Sequence, residues 1–278
     1  MIVKTNNTTQ NKPAQNKSAR KKSGKNHNIN QTGGRNYSSC LITNNDNDIN
    51  RINSFLKTYK QEIPKIIHQI WVGHKPIPWK WINSFKKDFI SKYPDWKHYL
   101  WTEKEIAGFD MINNKAYLDC KSYAGKSDIL RYELLYKYGG IYIDADTEWL
   151  GKDLNNLIKE THNGFFIGKE DKNRNVLANS VLGSSLHNPI SKHLIDTLSK
   201  SYFKYSKLPP YKKSGPYFVD QALKGLDITV FPSYYFYPIY WHGKKSLNMS
   251  IEEQKKQFPD SYMTQFDVST NNIDTSNL

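Results

Sequence analysis

Cysteine is scarce in this 278-residue chain: only Cys40 and Cys120 occur, with no CxxC spacing around either. That excludes a disulfide framework and a thiolate metal site, and it favours a reducing compartment. Long apolar runs are missing too. No stretch approaches the roughly 18 uninterrupted apolar residues of a membrane-spanning helix, and the mean hydropathy is −0.75. Met1 to Asn26 contains no apolar segment of the secretory type, so neither leader nor anchor is expected, and the cytoplasm, or a host cell's cytoplasm, is the expected location. Acidic residues are absent from residues 1–45, which carry eight basic ones. This stretch therefore accounts for more than half of the +14 net charge and leaves +6 for residues 46–278. Its Asn, Lys, Gln and Ser cannot bury enough apolar surface to fold. We expect a disordered basic tail over residues 1–60, a catalytic domain over 61–266 and a polar tail over 267–278. A nucleic-acid-binding protein is the competing reading of a pI near 9.4. The placement of the charge, and the lack of an RNP, zinc or helix-turn-helix pattern, argue against a nucleic-acid partner.

Aromatic residues are plentiful at 14%, and hydrophobic ones make up 37%, enough for a real core. Order is expected from Ile63-Pro64, with strands at residues 65–72, 96–101, 141–143, 164–168, 181–183 and 228–231 and a further extended piece at 234–237. Helices are expected over 79–90, after Thr102 as N-cap, over 127–138 and over 189–202. The helix over 127–138 stops at Gly139-Gly140, which supply a left-handed turn. Helices alternating with strands give an α/β class.

The chemistry gathers at Asp144-Ala145-Asp146. The chain has 17 Asp, so about one Asp-x-Asp triplet arises by chance, and we assign no function to Asp46-Asn47-Asp48. Asp144 and Asp146 differ in context. They follow the carboxyl end of an apolar strand, where α/β sheets place ligand sites. On extended chain both carboxylates face one side and repel, a state that a divalent cation relieves. A solvated acidic turn is the plainer reading. Asp128 and Arg131, three apart on the preceding helix, share a face. They form either a surface ion pair or a guanidinium fork with a carboxylate, both offered to a ligand.

The segment Ser127 to Asp146, S-D-I-L-R-Y-E-L-L-Y-K-Y-G-G-I-Y-I-D-A-D, resembles the signature of glycosyltransferase family 32, the "DXD sugar-binding region" transferases related to initiation-specific α-1,6-mannosyltransferases. Ile63–Trp71, Pro94-Asp95-Trp96 with Trp101, the stretch from Asn179 to Pro189, and Gly215-Pro216 are similar to further family segments. The resemblance implies a GT-A fold, a nucleotide-sugar donor such as GDP-mannose or a UDP-sugar, Mn²⁺ (or Mg²⁺), a glycan or other hydroxyl acceptor, and retention of configuration by front-face substitution without a protein nucleophile. It further implies that Asp146 ligates the metal directly, while Asp144 meets ribose or donor sugar, directly or through metal-bound water. Asp128, Arg131, Tyr142, Asn179 and Ser246 become donor-binding residues. His68, Gln69 and Trp71 become the floor of the nucleoside pocket, with Trp71 either stacking on the base or simply packing in the core. The resemblance also implies His242 as the third metal ligand. Lys244-Lys245 either face the diphosphate or are a solvated pair. Leu247 stands where family members often carry Trp, which raises a catalytically inactive glycan-binding relative as another alternative.

Overall fold

The computed structural model describes residues 42, 44–171, 174–239 and 249–266. Among them the strands are β1 (Ile66–Ile70), β2 (Lys97–Trp101), β3 (Gly140–Ile143), β4 (Thr147–Trp149), β5 (Phe165–Asp171), β6 (Arg174–Ser184), β7 (Thr229–Phe231) and β8 (Met263–Gln265). Six form a mixed sheet in the order β2-β1-β3-β6-β5-β7, while β4 and β8 pair as an antiparallel ribbon. β3 is parallel to β1 and antiparallel to β6, so it marks the line where the sheet changes sense. A mixed sheet flanked by helices is the α/β arrangement that the GT-A resemblance implies.

Both faces of the sheet are covered. Ile141 and Ile143 pack with Ile67, Phe85, Phe89 and Phe166 on one face. Tyr142 packs on the other, with Ile129, Leu130 and Leu134 and with Ile190 and Leu194. All four residues of β3 are buried, which explains why its sequence is uniformly apolar rather than alternating.

The Tyr123–Tyr138 helix begins one turn earlier than its sequence pattern suggests. The Ser122 side chain caps it by accepting from the Gly125 amide. Gly139 and Gly140 both take positive φ after it, and a Cβ on Gly140 would lie 2.6 Å from the Ile66 carbonyl oxygen. Glycine thus lets β3 lie directly beside β1. Thr102 does cap its helix, in a full capping box with Glu105. The piece expected to be extended at 234–237 instead opens as a 3₁₀ turn, Ser233–Tyr235.

One boundary is corrected. Within the expected tail 1–60, Asp46–Leu56 is a helix whose Ile49 and Leu56 are buried in the main core. Asn44 Nδ2 donates to the carbonyls of Gln221, Ala222 and Lys224, and Asn53 bridges Gly225 and Asp227. The apolar residues Ile49, Ile52 and Leu56 follow a helical stripe that the polar average of the segment hides. Asp46 and Asp48 fall in this helix's first turn, where carboxylates favour the helix dipole. Residues 1–41 and 267–278 lie outside the described residues. No helix among the described residues is long and apolar enough to cross a membrane.

Candidate active site

The parallel register of β1 and β3 sets His68 beside Tyr142. Two residues further on, Ile70-Trp71 and Asp144 therefore leave the sheet at one edge. The Asp144 amide extends the ladder by donating to the Ser180 carbonyl, 2.9 Å. Its carboxylate is held by three donors: Tyr142 Oη (2.6 Å) and Arg131 Nη1 (3.2 Å) at Oδ1, and Gln265 Nε2 (2.9 Å) at Oδ2. Gln69 Nε2 reaches its carbonyl at 3.4 Å. Ala145-Asp146 form a turn rather than extended chain, and the Phe266 amide donates to the Asp146 carbonyl, 3.0 Å. Both carboxylates line one cavity of about 210 Å³, together with Trp71, Tyr123, Ser127, Arg131 and Tyr142. They meet there because of this turn, not because of strand alternation.

Asp128 and Arg131 are buried, not a surface pair: their side chains are 10% and 5% exposed. Arg131 Nη2 lies 3.2 Å from Asp128 Oδ1, Nη1 also donates to the Asn179 carbonyl, and Nε donates to the Ser127 carbonyl. The guanidinium plane sits 4.3 Å above the Tyr142 ring. One guanidinium therefore links Asp128, Asp144 and the backbone of β6. Asp128 also accepts from Asn179 Nδ2 (2.8 Å) and Ser214 Oγ (3.2 Å). Burial pushes its carboxyl up to about 6 against the opposing pull of Arg131. Burial works against the Arg131 charge as well, but Tyr142, Asp144 and Asp128 outweigh it and hold the group cationic. Burial drives the Tyr142 phenol well above its usual range, so it remains the donor to Asp144.

The expected donor-binding residues divide into two layers. Trp71, Arg131 and Tyr142 line the cavity, and the half-buried Trp71 fixes its indole N–H on the Lys75 carbonyl at 2.9 Å. His68, Gln69, Asp128 and Asn179 lie behind it, absent from its lining. His68 is not a pocket floor: Trp101 Nε1 donates to its Nδ1 (3.1 Å), which leaves Nε2–H to donate to the Gly139 carbonyl (2.9 Å). Burial lowers its pKa to about 4 and keeps it neutral. Gln69 accepts from His98 Nε2 at 2.8 Å while it reaches Asp144. Both residues pin strand ends. His242, Ser246 and the neighbouring Lys244, Lys245 and Leu247 lie outside the described residues. Sequence reasoning missed Gln265 and Ser214, which reach the network from distant segments and carry no local signal. Two larger cavities, about 510 and 620 Å³, lie elsewhere. None of these carboxylates lines them, so chemistry rather than volume selects the site.

Among the described residues no group of three His, Cys, Asp or Glu is placed to hold a metal ion. What the cavity offers is a pair of hard oxygen donors, Asp144 and Asp146, of which Asp144 is already bound by three protein groups. That donor set matches the preference of Mn²⁺ or Mg²⁺ for hard oxygen ligands.

Residues 78–163 match the family described as "Glycosyltransferase sugar-binding region containing DXD motif". That span includes Asp144-Ala145-Asp146 and excludes Asp46-Asn47-Asp48. The chain is 31% identical over 147 residues to inositol phosphoceramide mannosyltransferase 3 of Schizosaccharomyces pombe, a match covering 51% of this chain and 39% of the relative. It is also 31% identical over 191 residues to the mannosyl phosphorylinositol ceramide synthase CSH1 of Saccharomyces cerevisiae, covering 64% and 48%. The chain thus spans less than half the length of either relative. Among solved structures it is similar to the PaToxG glycosyltransferase, with a TM-score of 0.45 and 22% identity, covering 64% of this chain and 75% of that one. Over residues 78–163, then, the chain is similar to the sugar-binding region of the DXD-motif glycosyltransferases.

Proposed function

We propose that this chain is a metal-dependent, retaining glycosyltransferase that moves a hexose, mannose in the first instance, from a nucleotide-sugar donor to a hydroxyl acceptor. The observation that carries the reading is the convergence of Asp144, Asp146, Arg131 and Trp71 on one cavity at the end of β3. Mannose is favoured because the two relatives named above are described as mannosyl-transferring proteins.

In this reading Asp144 and Asp146 would hold a divalent ion, which would supply charge neutralisation for a diphosphate leaving group. The chain's own residues orient the donor. Asp144 Oδ1 is saturated by Tyr142 and Arg131, but Oδ2 has one donor, Gln265, and keeps a lone pair for a ribose or sugar hydroxyl. The Trp71 ring is the stacking surface for the base. Arg131 and Lys75 are the lysine and arginine among the cavity's lining, placed to stabilise negative charge. Asp128 lies behind the lining, so the motif's own aspartates are the carboxylates that face the cavity, in keeping with chemistry that uses no protein nucleophile.

The test is donor hydrolysis and transfer with GDP-mannose, UDP-glucose and UDP-N-acetylglucosamine, with Mn²⁺ and after chelation. Turnover should be greatest with GDP-mannose and should vanish on chelation. Asp146→Asn should lose about a hundredfold or more, and Asp46→Asn should match the parent. Full turnover after chelation, or in the Asp146 variant, refutes the metal role. Turnover confined to UDP-sugars refutes mannose.

A further inference from the structure

One face of the described surface interleaves lysines with protruding apolar side chains. Residues 111–126 and 199–215 together hold eight lysines and no arginine, against the single acidic residue Asp119. Their balance exceeds the +6 of residues 46–278 as a whole, so the rest of that span is close to neutral. The two segments are in contact. Lys115 Nζ lies 5.2 Å from the centre of the Phe203 ring and Gly125 packs against Pro210, while within the second segment Lys213 Nζ lies 3.7 Å from the centre of the Tyr202 ring. Ile112, Leu118 and Phe203 project from this face, 55%, 64% and 42% exposed. Single exposed apolar residues are ordinary, but here they stand among lysines. The face also adjoins the cavity, because Tyr123 and Ser127 line its wall and Lys126 lies on the same stretch of helix.

We propose that this face docks onto an anionic membrane surface and so brings the mouth of the cavity to the lipid headgroups. Apolar tips that enter the headgroup boundary while lysines pair with anionic lipid are the two signals that interfacial binding combines. A single-stranded nucleic acid would use bare aromatic faces for stacking, whereas Tyr202 is buried and Lys115 lies against the Phe203 ring. Duplex phosphates are most specifically bound by arginine forks, and this face has none.

The test is flotation of the full chain with phosphatidylcholine vesicles, with or without about 30% phosphatidylserine, at about 0.1 M salt. The chain should float with the anionic vesicles and not with the neutral ones. The pair Ile112→Ser/Leu118→Ser and the pair Lys204→Glu/Lys207→Glu should each weaken vesicle affinity at least tenfold, with the melting temperature unchanged because all four residues are exposed. Residues 1–45 bring eight basic residues of their own. If both pairs bind like the parent, that segment carries the binding and the proposal fails. Equal flotation with neutral vesicles also overturns it. So does a result in which the lysine pair loses duplex DNA and vesicle binding alike while the apolar pair is silent.

Discussion

Replacing Arg131 with lysine keeps the charge and removes the fork. In the folded protein that fork meets Asp128 at 3.2 Å, Asp144 at 3.2 Å and the Asn179 carbonyl, while its plane covers Tyr142. A single ammonium nitrogen cannot occupy all of these positions, so at least one charge-assisted hydrogen bond is lost, about 1.5–3 kcal/mol. For a domain of this size each kcal/mol lowers the melting temperature by about 2–4 °C, so Arg131→Lys should melt roughly 3–12 °C below the parent. Had Arg131 formed an exposed i,i+3 pair, as its sequence spacing equally allows, the loss would be about 0–1 kcal/mol. Arg131→Ala strips the partner from two carboxylates and should cost about 3–5 kcal/mol. Because Asp144 also loses one of its three anchors, kcat/KM for the donor should fall at least tenfold in the lysine variant, equivalent to about 1.4 kcal/mol. Calorimetric melts paired with donor hydrolysis measure both quantities. An Arg131→Lys protein that melts with the parent and turns over normally would refute the network as the anchor of Asp144. A parental melt with lost turnover would instead assign the fork to the donor alone.

A chain shortened to begin at residue 61 loses Ile49 and Leu56 from the core, each worth about 1.5–3 kcal/mol. It should therefore melt at least about 6 °C below a chain that begins at residue 42; equal melting would show that the Asp46–Leu56 helix contributes nothing. His68 gives a pH signature. Its folded pKa of about 4 lies below the usual 6.5, so between those values the unfolded chain binds the proton and the folded one does not. Stability is complete above pH 6.5 and falls as the pH drops toward 4, by about 3 kcal/mol for this residue; the half-buried His98, also lowered to about 4, acts in the same direction. Urea midpoints from pH 7 to 4.5 should show this slope, and His68→Gln should flatten it. An unchanged slope in the variant would remove His68 as its source.

The sequence by itself determined the Gly139-Gly140 break and the buried strand after it, because each depends on residues within a turn or two of chain. The capping box at Thr102 and Glu105 was legible for the same reason. The helix at Asp46–Leu56 was not, since its three apolar contacts matter only when the Pro189–Ser201 helix and the Pro216–Ala222 segment lie beside it. Nor was the role of His68, whose pattern suits a ligand pocket equally well until Trp101 and Gly139 take up its two nitrogens. The partners of the motif were decided by tertiary structure alone. Gln265 stands 121 residues beyond Asp144 and reaches its carboxylate through the pairing of β8 with β4, and Asn179 meets Arg131 because β6 runs antiparallel to β3. Local patterns place a carboxylate at a strand end. Which of its lone pairs stay open to a ligand depends on donors that only the packed sheet and ribbon bring within hydrogen-bond reach.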